Sequence, residues 1–402
     1  MRYFDHNASS SLLPQARDAW LEASEKFFGN PSSPHRVGAR ADRALTEARE
    51  RLAAFLNCDA LDIVWTSGAT ESNNMVMHHS ARALNASAGV WVSAIEHPCV
   101  LRATATHFPQ RHRLIPVTGA GVIDLSWLKK QLKRDRPGLV AVMAANNETG
   151  VLQPWEEILK LCREHEIPFF CDAAQWLGRL SAKGLGQCDF VSGCAHKFGG
   201  PKGVGFLKCP SRGRLEPLVL GGPQEEGRRA GTENVAGVLS MLAALDVREP
   251  ALANGEERQR LEWRNAFEQT LQQTLPGLEI VGRSSNRLWN TVSALMPQAD
   301  CQQRWVVKLD KNGFAVSTGS ACASGQEKPS HVLAAMGYAP SETGRVLRFS
   351  SSWETTPADW SALADGLLSV HNEMMERTTD ASRPRLTGHG KTLSQQNPRG
   401  ST

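Results

Sequence analysis

Two patterns of apolar residues alternate along this chain. Short, nearly continuous apolar runs fall at 62–66, 89–94, 139–144, 167–171 and 189–192, as strands buried on both faces require. The stretches around them carry helical spacing. Residues 14–28 open on Pro14, which suits a first helical turn. Residues 38–57 put Ala41, Ala44, Leu45, Ala48, Leu52 and Phe55 on one face, the pattern of a helix packed on a core. The run 154–166 is amphipathic. Strand and helix in alternation across 60–210 predict an α/β fold around a mostly parallel sheet with right-handed crossovers.

A long, highly charged helical pattern at 255–275 is followed by a second alternation of strands and helices over 277–375. A chain of 402 residues also exceeds one ordinary core. The expected division is a large domain at 13–255 and a smaller α/β domain made of 1–12 and 256–378, with 379–402 a polar, disordered tail. The glycine-rich, charged segment 221–235 reads as a loop able to reach a neighbouring subunit.

Composition narrows the partners. Lys+Arg 45 against Asp+Glu 41 leaves +4, too balanced for a nucleic-acid or membrane surface. The nine cysteines include no C-x-x-C pair, which argues against structural zinc and a disulfide framework. The N-terminus has no basic region followed by an apolar one, and no window holds about 18 consecutive apolar residues. The expectation is a soluble protein of a reducing cytoplasm.

Candidate chemistry collects at the ends of the apolar runs, where open α/β sheets bind ligands. The run 167–171 ends at Asp172, and 189–192 ends just before His196 and Lys197. Pyridoxal phosphate (PLP) needs a lysine for a Schiff base and a carboxylate to keep its pyridine nitrogen protonated, and Lys197 and Asp172 fit those roles. A solvated loop lysine and a helix-capping aspartate are the plain alternative. After 62–66, Ser67-Gly68-Ala69-Thr70 opens a helix, so unpaired backbone N–H groups and the helix dipole would favour an anion there, with an ordinary N-cap as the alternative. His97 sits on a strand-end loop, either structural or flat against a pyridine ring. The glycines of 199–205 do not open a helix after a strand, so they are not a nucleotide loop.

The segments YFDHNASS, FGNPSSPH, TSGATESNN, EHPCV, NNETG, DAAQ, HKFGGPKG, RAGTENV, STGSACASG, PSHVL and RFS follow one another in this order. Together they resemble the cysteine desulfurases of the NifS/IscS type, PLP enzymes of the class V aminotransferase group. The resemblance implies the type I fold of PLP-dependent transferases, with Lys197 as the Schiff-base lysine and Asp172 on the pyridine nitrogen. It implies that His97 stacks on the ring and moves protons, that Gln175 donates to the phenolic oxygen, and that Asn147 lies beside cofactor and substrate. Ala69, Thr70, His196 and the position of Cys194 would surround the phosphate, joined by Thr232 from the second subunit of a homodimer. Arg348 would fork onto the substrate carboxylate. Cys322, in a loop of small residues, would take sulfur from L-cysteine as a persulfide and leave L-alanine. An acceptor such as an iron–sulfur scaffold protein, a tRNA-thiolation protein or a DNA-sulfur-modification protein would then receive that sulfur, with no direct nucleic-acid contact, no membrane and no metal site implied.

Three segments depart from the pattern. Cys194 replaces the serine that usually helps hold the phosphate, and a thiol is a poor donor. Ser351 and Ser352 replace a Leu-Gly pair after the RFS segment and are followed by Trp353, next to the carboxylate pocket, and Ser9 and Ser10 stand where threonines are common. Three activities follow: an active desulfurase, a related PLP lyase acting on selenocysteine or cystine, and a non-catalytic docking partner.

Overall fold

The computed structural model describes residues 1–211, 215–298, 302–319 and 329–381. Cys322 and most of the expected tail lie outside these residues. The first strand is short, β1 (Arg2–Tyr3). The large sheet takes the next seven: β2 (Ile63–Thr66), β3 (Val90–Ser93), β4 (His112–Ile115), β5 (Leu139–Ala141), β6 (Phe169–Asp172), β7 (Phe190–Cys194) and β8 (Gly205–Lys208). Their spatial order is β2-β8-β7-β6-β5-β3-β4. The strands β3 to β7 run parallel, as the alternation predicts, and β8 runs antiparallel to both its neighbours.

Burial explains why the apolar runs became strands of this sheet. Every residue of β2, β3, β5, β6, β7 and β8 is buried, whereas edge strand β4 buries only Ile115. The helix Arg36–Leu56 covers one face through the predicted alanine and leucine stripe and ends at Asn57 in the left-handed conformation. The strand β8 had no sequence signal beyond the glycine loop before it. Its first residue, Gly205, allows a close approach: a Cβ there would come 2.5 Å from both the Gly193 carbonyl oxygen and the Gly68 Cα. That contact draws the turn after β2 against the ends of β7 and β8.

Beyond the large sheet, β9 (Glu279–Ile280), β10 (Thr291–Leu295) and β12 (Val346–Ser350) form an antiparallel sheet, and β11 (Phe314–Ala315) pairs with β1. A separate apolar cluster holding Phe4, Phe267, Trp305, Leu347, Phe349 and Trp360 packs around them. The charged pattern at 255–275 is the helix Glu256–Thr274, and its charges are not all solvated. Glu268 is buried and takes two hydrogen bonds from buried Arg287, at 2.6 and 2.9 Å. The N-terminal segment runs beside β12, with the Ser350 amide donating to the Phe4 carbonyl oxygen at 2.8 Å.

Candidate functional site

A cavity of about 500 Å³ opens where the large sheet's strand ends meet the N-terminal segment and β12. It is lined by Ala69, Thr70, His97, Asn147, Asp172, Gln175, Cys194, His196, Lys197 and Arg348, which gathers every predicted site residue except Cys322 and Thr232. Thr232 is exposed and Cys322 lies outside the described residues.

Strand register sets the first wall. Asp172, the last residue of β6, pairs with Ser192 of β7, and Lys197 follows β7 in a single 3-10 turn. The Asp172 carboxylate is buried and accepts from the Asn73 side-chain amide at 2.7 Å and from the Ala174 backbone at 2.9 Å. The Lys197 ammonium donates to the backbone carbonyls of Asn7, at 2.5 Å, and Ala8, at 2.9 Å. Burial pulls its pKa down to about 8, and the Arg179 and Arg348 guanidiniums pull the same way. Gln175 donates to the Asn7 carbonyl at 3.0 Å and accepts from Arg179.

A helix N-terminus supplies the floor. Gly68, at φ 152°, precedes the helix Ala69–Ala83, which starts with its free N–H groups at the cavity. Cys194 accepts from the Ala69 backbone, and burial raises its thiol to about 11, so it is a neutral, weakly bonded group at this floor. Burial, with Lys197 and Lys202 adding, lowers His196 to about 4. The helix end is tied to the 221–235 segment, since Glu71 accepts from Arg229 at 2.8 Å and from the Ser67 backbone at 2.8 Å.

The opposite wall comes from the chain's two ends. Arg348 of β12 donates to Asp5 at 2.6 Å, to the Asn147 carbonyl at 2.9 Å and to the Gly319 carbonyl at 3.4 Å. Its Nε is buried without a partner. Ser9 Oγ, Asn73 Oδ1 and His196 Nδ1 are likewise buried and unpaired, and all four residues line the cavity. Buried polar atoms left unpaired are costly, so their concentration around one cavity fits a polar occupant.

Ser351, Ser352 and Trp353, doubtful in the sequence, do not line the cavity. Trp353 instead donates to the Gly178 carbonyl at 2.7 Å and packs edge-on to Trp289. Sequence reasoning missed Asp5, Asn7, Asn73, Cys99 and Arg179. Asn7 and Asp5 lay inside a quoted motif, which was the available signal. Asn73 and Cys99 line the cavity and also lie inside such motifs, TSGATESNN and EHPCV, but the Asn73 contacts with Asp172 and Cys99 have no local signature.

An aminotransferase class-V profile matches residues 2–363. The cysteine desulfurase IscS of Dictyoglomus turgidum is 36% identical over 91% of this chain and 93% of its own length. A cysteine desulfurase of Klebsiella pneumoniae is 36% identical over 87% of each. A solved NifS-like protein from Rickettsia africae superposes with a TM-score of 0.83 at 29% identity, covering 92% of this chain and 99% of that one. A structure of SspA in complex with cysteine gives 0.76 at 29% identity, over 87% of this chain and 98% of that one.

Proposed function

The chain belongs to the class V aminotransferase family, and from that premise we propose that it is a PLP-dependent cysteine desulfurase working as a homodimer. The observation that carries the reading is the cavity that joins Lys197, Asp172, His97, Gln175 and Arg348 and leaves four buried polar atoms without partners. Its volume of about 500 Å³ falls within the range of cofactor sites. When bound, PLP supplies an electron sink for the pair left on the substrate's carbon skeleton.

The chain's own residues do the rest. Lys197 holds the cofactor covalently and moves the substrate's α-proton. With a pKa of about 8, about one-tenth of such an amine is neutral at pH 7, against about one part in 3,000 at the ordinary value. Asp172, fixed by Asn73 and Ala174, holds the proton of the pyridine nitrogen, and Gln175 donates to the phenolic oxygen. The Ala69 helix end, Thr70, Cys194 and His196 bind the phosphate, and Thr232 completes the phosphate site of a neighbouring copy. Arg348 offers its unpaired Nε edge to the substrate carboxylate beside Asn147. The Cys322 thiolate attacks the sulfur of L-cysteine; an S–S bond forms, the C–S bond breaks, the β-carbon takes one proton, and the α-carbon takes back the one it lost to become L-alanine. An acceptor protein such as an iron–sulfur scaffold then removes the persulfide sulfur.

Two separate apolar clusters, one around the large sheet and one around Phe4 and Phe267, support a division into 13–255 and 1–12 with 256–378. The seven described cysteines are all free, and no described helix is long and apolar enough to cross a membrane. With L-cysteine and a reductant, PLP-loaded protein should release equal amounts of L-alanine and sulfide. Cys322→Ser should keep the cofactor colour and release almost no alanine. Undiminished alanine release from the serine variant would point instead to a lyase.

A further inference from the structure

Next to His97 lies a thiol with no role in the proposed reaction. Cys99 Sγ is 2.9 Å from His97 Nδ1 and 3.1 Å from the Asn73 side-chain nitrogen, and it shares a hydrogen bond with Thr70. The same Asn73 nitrogen donates to Asp172 at 2.7 Å. An amide nitrogen only donates and a carboxylate only accepts, so Asp172 fixes which way the Asn73 amide points. The Cys99 sulfur therefore accepts from Asn73, and its own hydrogen is free to turn to His97 Nδ1. The Cys99 backbone N–H reaches that nitrogen too, at 3.2 Å.

We propose that Cys99 is a positioning residue that holds His97 as a neutral imidazole with its hydrogen on Nε2, so that the ring presents a donor, not a base, at its other edge. The backbone N–H of Cys99 can only donate, so placing a proton on Nδ1 would turn that contact repulsive and force the thiol hydrogen away from the ring. A chain of contacts thus runs from Asp172 through Asn73 and Cys99 to His97, linking the group assigned to the pyridine nitrogen with the ring assigned to proton movement. Lys197 then takes the α-proton, and His97 serves as a hydrogen-bond donor or acid.

The surrounding charges agree with neutral partners. Burial lowers the His97 pKa, Lys197 and His331 lower it further, and Asp172 alone opposes them. Burial and Asp172 push the Cys99 thiol up to about 12, which disfavours a thiolate–imidazolium pair. The inference rests on this cavity being the PLP site, but the tautomer is read from the ring itself, so loss of cofactor binding and a wrong tautomer are separate results.

The test is nitrogen NMR of PLP-loaded protein carrying labelled histidine, with the His97 signals assigned by their loss in His97→Asn. The expected wild-type spectrum has Nδ1 unprotonated and Nε2 protonated at neutral pH. Cys99→Ala should raise the His97 pKa by up to about one unit, tenfold in proton affinity, because one hydrogen bond to the neutral ring is lost. Cys99→Ser, which restores a donor, should fall back toward wild type. A protonated Nδ1 in wild type, an unchanged pKa in the alanine variant, or equal shifts in both variants would overturn the proposal.

Discussion

The two walls of the cavity are built by opposite means. The wall holding Asp172, Cys194 and Lys197 comes from neighbouring strand ends of one sheet, with these residues inside a short stretch of chain. The wall holding Arg348 depends on contacts across almost the whole sequence, since its partner Asp5 lies 343 positions away. The first is fixed once the parallel sheet forms. The second exists only when the N-terminal segment lies along β12, through the Phe4 and Ser350 hydrogen bond and the Asn7 backbone donating to Ser350 Oγ at 3.0 Å. On the proposed assignment, the cofactor side is anchored in the large core, and substrate recognition is coupled to the N-terminal segment lying along β12.

This difference makes the walls separable by mutation. The larger effect is expected at Arg348. Arg348→Lys keeps the charge but loses the fork toward the substrate carboxylate and the bond to Asp5. Losing a charged hydrogen bond costs about 1.5–3 kcal/mol, so KM for L-cysteine should rise roughly 10- to 100-fold while PLP stays bound. Steady-state kinetics with cofactor absorbance measured on the same samples checks both halves. Loss of PLP from this variant would mean that the two walls are not independent.

A smaller effect, on the other wall, is expected at Cys194. Its sulfur already meets the Ala69 N–H, and Cys194→Ser would add a stronger donor toward the phosphate. One neutral hydrogen bond is worth about 0.5–1.5 kcal/mol, so PLP should dissociate up to roughly tenfold more slowly with KM for L-cysteine unchanged. Dissociation followed by capture of released PLP gives the rate. Equal or faster loss would show that other groups have taken over the phosphate.

The same contrast governs what the sequence makes legible. Asp172 and Lys197 stand out because each follows a buried apolar run, and strand ends collect ligands whatever the loops do. The large sheet is legible for that reason, down to the 62–66 and 189–192 runs that became β2 and β7. The strands β4 and β8 are not: edge strand β4 leaves three of its four residues exposed, and the antiparallel place of β8 depends on the Gly205 approach to Gly68 and not on its own pattern. Arg348 enters only through motif resemblance, and although Asp5 also lies in a motif, its pairing with Arg348 is invisible to any local reading. Cys99 meets His97 locally, two residues on at the start of the same helix, but only the folded sheet brings Asn73 beside both Asp172 and Cys99.

The central claim is that Lys197 is the lysine of a PLP site. It is tested most directly by treating PLP-loaded protein with borohydride and mapping the labelled peptide by mass spectrometry. The expected result is one reduced pyridoxyl group per chain, on Lys197. A label on another lysine such as Lys202, or no covalent label on protein that has taken up PLP, would contradict it.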